Sequence, residues 1–174
     1  MKVLRRTSER IVFGLGVREK TLLDQLLGYY PVQPESRPQL SRNLPAERLA
    51  EAETLLHEAL REQKKELAAW LHTRFAEGES LSRTGSGWRL TLKTPEVECF
   101  LQVLNELRVG AWTRLGCPEN LDDPALAESN THAPFHAIMM VAGQFEMVVL
   151  LGLGRVEEPE TGAETPPPPT PASD

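Results

Sequence analysis

Arg108 stands where a charge is costly. At about 100° per residue, Val97, Phe100, Leu101, Leu104, Leu107, Ala111 and Leu115 project as one apolar stripe, and Arg108 falls inside it. An uncompensated buried guanidinium costs several kcal/mol, so it needs a carboxylate or several carbonyls. Glu146 is the single charged residue in the apolar run 135–153 and is therefore the expected partner. Asn105 and Trp112 flank Arg108 on the same side. Two chemistries follow. One is an ion pair that fixes how two helices register. The other is a polar pocket around Asn105, Arg108, Trp112 and Glu146, belonging to a small ligand-binding protein or enzyme. The ion pair is the simpler reading, because buried charges pair for structural reasons more often than for catalysis.

Other reactive residue types lack the company that chemistry needs. His132 and His136 have a metal-ligand spacing, but Pro134 lies between them and no third ligand stands nearby. Cys117 is a candidate thiol. It follows the negative end of its helix, which disfavours the thiolate that a Cys117–His132 nucleophile would require. Cys99 and Cys117 are separated by about 27 Å of helix, whereas a disulfide needs Cα atoms within about 7 Å. Gly14-Leu15-Gly16 lacks the rest of a phosphate loop and reads as a turn. No catalytic residue, metal site or cofactor site is assigned, and the chain is expected not to be an enzyme.

Charge is distributed unevenly. The formal net charge is −6, but Glu157, Glu158, Glu160, Glu164 and Asp174 supply five negative charges near the C-terminal end, leaving −1 for the remainder. Within residues 1–20, Lys2, Arg5, Arg6, Arg10, Arg18 and Lys20 face only Glu9 and Glu19. The simpler reading of such a basic edge is a solvated, charge-protected sheet edge; the alternative is a surface that attracts acidic partners or phosphates, with Arg5, Arg6 and Arg10 as the candidate partner contacts. A nucleic-acid binder normally shows a larger basic stripe with aromatics between the cations, so a protein partner is expected rather than direct nucleic-acid binding. The start Met1-Lys2-Val3-Leu4-Arg5-Arg6 has no apolar run behind it, and two cysteines fit a reducing compartment. The expected location is the cytoplasm.

The elements that position these residues are a small sheet and several helices. Residues 2–6 and 10–15 read as strands, and Trp88, Leu90 and Leu92 alternate with Arg89, Thr91 and Lys93 in a third. Helices are expected over 17–27 with a left-handed Gly28 cap, over 45–77, and from a Thr94 cap with Pro95 to Gly116. The helix over 45–77 would be about 50 Å long, longer than a domain of this size is wide. The patch 61–66 therefore predicts a break or an exposed middle, and an overhang would favour a homodimer. The run 135–153 is expected to be a fully covered core helix, since Glu146 would be costly in a membrane. Residues 31–42 and 117–134 read as connectors, the second with one helical turn near Ala125-Leu126-Ala127. The resulting expectation is a mainly α domain over 1–156, with about four helices and a three-stranded antiparallel sheet. A Pro- and Glu-rich disordered tail over 157–174 follows it.

A basic hairpin, then Leu15-Gly16-Val17-Arg18-Glu19 opening a leucine-rich helix, then Leu104-Asn105-Glu106-Leu107-Arg108 and Thr113-Arg114-Leu115-Gly116, resembles the oxidative stress regulator family (AosR). The similarity runs over residues 3–27 and 88–153. It implies an intracellular, non-enzymatic regulator that contacts the transcription machinery, such as a sigma factor or RNA polymerase, in response to oxidants. The resemblance also implies a sensing cysteine pair in the N-terminal segment, and Lys2 to Arg10 contains no cysteine.

Overall fold

The computed structural model describes residues 1–32, 46–76, 78, 80–121 and 123–154. Most of the connector expected over 31–42, and the tail expected over 157–174, lie outside the described residues.

Four strands form one antiparallel sheet in the order β1-β2-β4-β3: β1 (Lys2–Arg6), β2 (Arg10–Leu15), β3 (Leu81–Thr84) and β4 (Gly87–Lys93). Alternation sorts the faces. Ile11, Phe13, Leu15, Leu90 and Leu92 are buried on the inner face, with Phe13 opposite Leu90 and Ile11 opposite Leu92. The helices are α1 (Val17–Leu27), α2 (Ala46–Leu71), α3 (Thr94–Arg114), α4 (Pro124–Glu128) and α5 (Ala133–Gly154), with a π-helical turn at His72–Ala76 after α2.

The expected mainly α fold with about four helices and three strands is thus corrected. The architecture is α/β, with five α-helices and a four-stranded antiparallel sheet among the described residues. Leu81-Ser82-Arg83-Thr84 escapes pattern reading because only Leu81 is apolar. Pairing to β4 across the two-residue turn Gly85-Ser86 makes it a strand.

Most of the stripe expected on α3 is buried, Val97, Phe100, Leu104, Leu107 and Ala111 fully, but Leu101 is only partly buried and Val103, outside that stripe, is fully buried. Two helix ends differ. Thr94 does not cap α3; its hydroxyl donates to Ser8 O at 2.9 Å, tying the β1–β2 turn to the helix, and Glu96 instead accepts from the Lys93 N–H at 2.8 Å. Gly28 ends α1 in right-handed conformation, φ −64°, rather than the left-handed cap expected.

Helix α2 is unbroken through the polar patch, so an exposed middle wins over a break: Arg61, Glu62, Gln63, Lys65 and Glu66 are all exposed. Its C-terminal end is the anchored part. Leu67 and Leu71 are buried, and Phe75 stacks on Phe100 at 5.4 Å between ring centroids. Arg74 Nη2 lies 2.8 Å from Glu96 Oε1.

Helix α5 is long and apolar enough to span a membrane by length and composition, with 33% of that window buried. It is not fully covered, contrary to expectation. Met140, Met147, Leu150 and Leu151 are exposed on one side, while Ala142, Phe145 and Val149 are buried on the other.

Close backbone approach constrains the hairpin. A Cβ on Gly87 would sit 2.4 Å from Leu15 O, whereas one on Gly85 would meet nothing within 4 Å. Gly87→Ala is expected to destabilise by about 1–3 kcal/mol and Gly85→Ala to leave the urea midpoint nearly unchanged; equal effects would contradict this packing.

The Tyr30 hydroxyl donates to Glu106 Oε2 at 3.1 Å. Burial chiefly, then the Glu106 charge and hydrogen bond, push its pKa well above the ordinary 10.0. The unfolded phenol ionises first as pH rises, so folding stability present below about pH 10 declines above it. Urea midpoints measured across this alkaline range should fall for the native chain and fall less for Tyr30→Phe.

Candidate functional site

Arg108 projects from α3 toward Gly143 and Glu146 of α5. Its Nη1 is 3.3 Å from Glu146 Oε2, and its Nη2 donates to Asn105 Oδ1 at 3.3 Å. The expected pairing is present, but the guanidinium is not a buried charge. The Arg108 side chain is 46% exposed and that of Glu146 15%. Arg108 occupies the rim of the apolar stripe, and its length carries the charge past the edge of α5 into solvent. Glu146 Oε2 is enclosed and receives no aligned hydrogen bond, so the contact to Arg108 is Coulombic.

Trp112 does not join this network. Its indole N–H donates to Pro118 O at 3.2 Å, fastening the chain that follows α3. There Gly116 and Cys117 adopt left-handed φ values of 81° and 58°, a conformation disfavoured for Cys117. Cys117 is exposed and Cys99 partly buried near the other end of α3, so α3 keeps the two cysteines apart.

Around Arg108 lies an open trough of about 700 Å³ lined by Gly143, Glu146, Met147, Leu150, Leu151 and Gly154. It offers one cation and one carboxylate against aliphatic walls, with no hydroxyl, thiol or imidazole among its lining residues. Among the described residues, no group of three His, Cys, Asp or Glu could hold a metal ion. His136 Nε2 lies 3.2 Å from Leu121 O, in the loop before α4.

The second candidate is the outer sheet face. Arg5 pairs with Val12, Lys2 with Gly14, Arg10 with Lys93, and Gly14 with Arg89. Residues directly opposite share a face, so Lys2, Arg5, Arg10, Arg89 and Lys93 converge on the side away from Phe13 and Leu90. All five are exposed, Leu4 is 49% exposed beside them, and Val12, Gly14 and Thr91 are half-buried between them. The five cations have no ion pair among the described residues, and none of the four strands carries an acidic residue.

Arg6 is the exception among the expected contacts. It lies opposite Ile11, on the inner side, where its Nη1 donates to Gly152 O at 3.2 Å and to Leu153 O. It caps the C-terminal carbonyls of α5, where a cation also complements the helix dipole. Lys2 belongs to the basic stretch read from the sequence, whereas Arg89 and Lys93 are not among the contacts expected there. The alternation in 88–93 already placed Arg89 and Lys93 on a polar face, but only strand pairing sets them beside Arg10.

The chain matches no protein-family model, no curated protein and no solved structure.

Removing Arg108 leaves the poorly solvated Glu146 without its cation, while the exposure of Arg108 limits the loss. Arg108→Ala is expected to cost about 1 kcal/mol rather than to unfold the chain, and adding Glu146→Leu should recover most of that. Thermal melting of both singles and the double variant measures the coupling; strictly additive effects would show that the pair has none.

Proposed function

We propose that this protein is a non-enzymatic regulatory module that acts by protein–protein contact, presenting its outer sheet face to an acidic segment of a partner. The observation that carries the reading is the convergence of five unpaired cations on a face without acidic residues. Such a face steers an anionic partner and disfavours a cationic one. It carries no aromatic side chain on which bases would stack, and Leu4 and Val12 add apolar contact between the charges. Those features favour an acidic protein segment over nucleic acid.

The resemblance to the oxidative stress regulator family supports a sigma factor or RNA polymerase as that partner, with a cytoplasmic location. An exposed Cys117 is the thiol available to an oxidant. The alternative reading, a small ligand-binding protein or enzyme, rests on the solvent-reachable Arg108 in its trough. The aliphatic lining of that trough gives it few groups to orient a polar ligand.

The full chain would be used as bait in lysate with and without peroxide, beside an Arg5→Glu, Arg10→Glu, Lys93→Glu variant. Capture of transcription proteins by the native chain, weakened at least about tenfold in the variant and by added salt, is the expected result. Equal capture by a variant with an unchanged melting curve would rule out this face. Capture of no transcription protein would rule out the partner class.

A further inference from the structure

A separate surface, independent of the basic face, runs along α5. Met140, Gly143, Met147, Leu150 and Gly154 follow one another at alternating steps of three and four residues, the spacing of a seam between two helices. This side is solvent-facing: Met140 is 47%, Met147 56% and Leu150 50% exposed, with Leu151 beside them at 60%. No described element covers it. We propose that this seam pairs with the same seam of a second copy of the chain, antiparallel about a two-fold axis that crosses the seam at the level of residue 145.

Shape comes first. A Cβ on Gly143 would have only Arg108 Cδ near it, at 3.8 Å, so the surface over Gly143 is open. The trough of about 700 Å³ described above includes this opening. With the axis at the level of residue 145, the partner's Met147 lies over Gly143, and by symmetry Met147 lies over the partner's Gly143. Met140 then packs on the partner's Leu150. Each layer sets a long flexible side chain against a small residue or an aliphatic one, which is how antiparallel seams fill.

Charge points to the same occupant. The seam carries one cation and one carboxylate, Arg108 and Glu146, so two copies bring no net charge together. The outer sheet face, with five like charges, would instead repel a second copy.

Area sets the strength. The four exposed apolar side chains amount to roughly 400 Å² per copy, within the range of a functional patch, and two such patches with their rims reach the low end of specific interfaces. An interface of that size belongs with weak, reversible pairings rather than permanent ones, so the equilibrium is expected on the order of micromolar.

Sedimentation equilibrium of the full chain, from about 5 to 200 micromolar, tests the pairing. A monomer–dimer equilibrium is expected, with the dimer lost in Met147→Glu and in Leu150→Glu while circular dichroism and melting stay native-like. In a Cys99→Ala, Cys117→Ser background, a short bis-maleimide should join Gly143→Cys to Met147→Cys when the two variants are mixed. It should join neither variant to itself to the same extent. A monomer throughout the range overturns the proposal, as does a dimer that survives both substitutions. Preferential joining of Met147→Cys to itself overturns the antiparallel register. A monomer that co-sediments with phosphatidylcholine vesicles through Met147 and Leu150 also overturns it, assigning the face to a bilayer.

Discussion

The packing of α3 and α5 against the inner face of the sheet is the constraint on which the rest depends. Val97, Phe100, Leu104, Leu107 and Ala111 of α3 and Ala142, Phe145 and Val149 of α5 close over Ile11, Phe13, Leu90 and Leu92. Close packing of this kind requires small residues where backbones approach. A Cβ on Gly152 would already lie 3.2 Å from Val3 and 3.3 Å from Phe13, so the end of α5 presses directly on the sheet. Arg6 then supplies donors to carbonyls that the helix end leaves unpaired. Strand β1, an edge strand that a hairpin alone would hold weakly, is thereby fastened to the core.

The same arrangement separates the two exposed surfaces by chemical character. With the helices on one side of the sheet, the pleat sends every second strand residue to the other, and there the strands carry lysine and arginine without acids. The helix layer exposes the opposite chemistry: aliphatic side chains of α5 with a neutral Arg108–Glu146 pair at their rim. On the function and the pairing proposed above, the sheet face would select its partner by charge and the α5 face by apolar contact. The long α2 is anchored at its C-terminal end through Leu71 and, in the turn that follows it, Arg74 and Phe75, while its polar middle is exposed.

Local rules made much of the secondary structure legible. Period-two alternation marked β2 and β4, with residues 2–6 read as the strand preceding β2, and the leucine spacing marked α1 to its observed ends. Pro95 with the first-turn Glu96 located the start of α3, and Glu146 was identified as the ion partner of Arg108. Strand β3 was illegible because its pattern is polar and its strand character comes from β4. The role of Arg6 was illegible because a one-residue irregularity between Val3 and Arg5 reverses the alternation beyond it, so that Arg6 rather than Arg5 faces the inner side.

What the sequence by itself determined was therefore which residues form helices and strands and which side of each is apolar, since propensity, capping and periodicity act over a few residues. What the tertiary structure decided was which apolar sides are covered and which charges meet. Only packing leaves the Met140–Leu151 side of α5 uncovered and lifts Arg108 from the stripe to its rim. Only strand pairing gathers Lys2, Arg5, Arg10, Arg89 and Lys93, from three strands, into one face. The physical reason is that a helical wheel or a strand alternation gives the direction of a side chain, while its burial and its partners depend on segments far away in the chain.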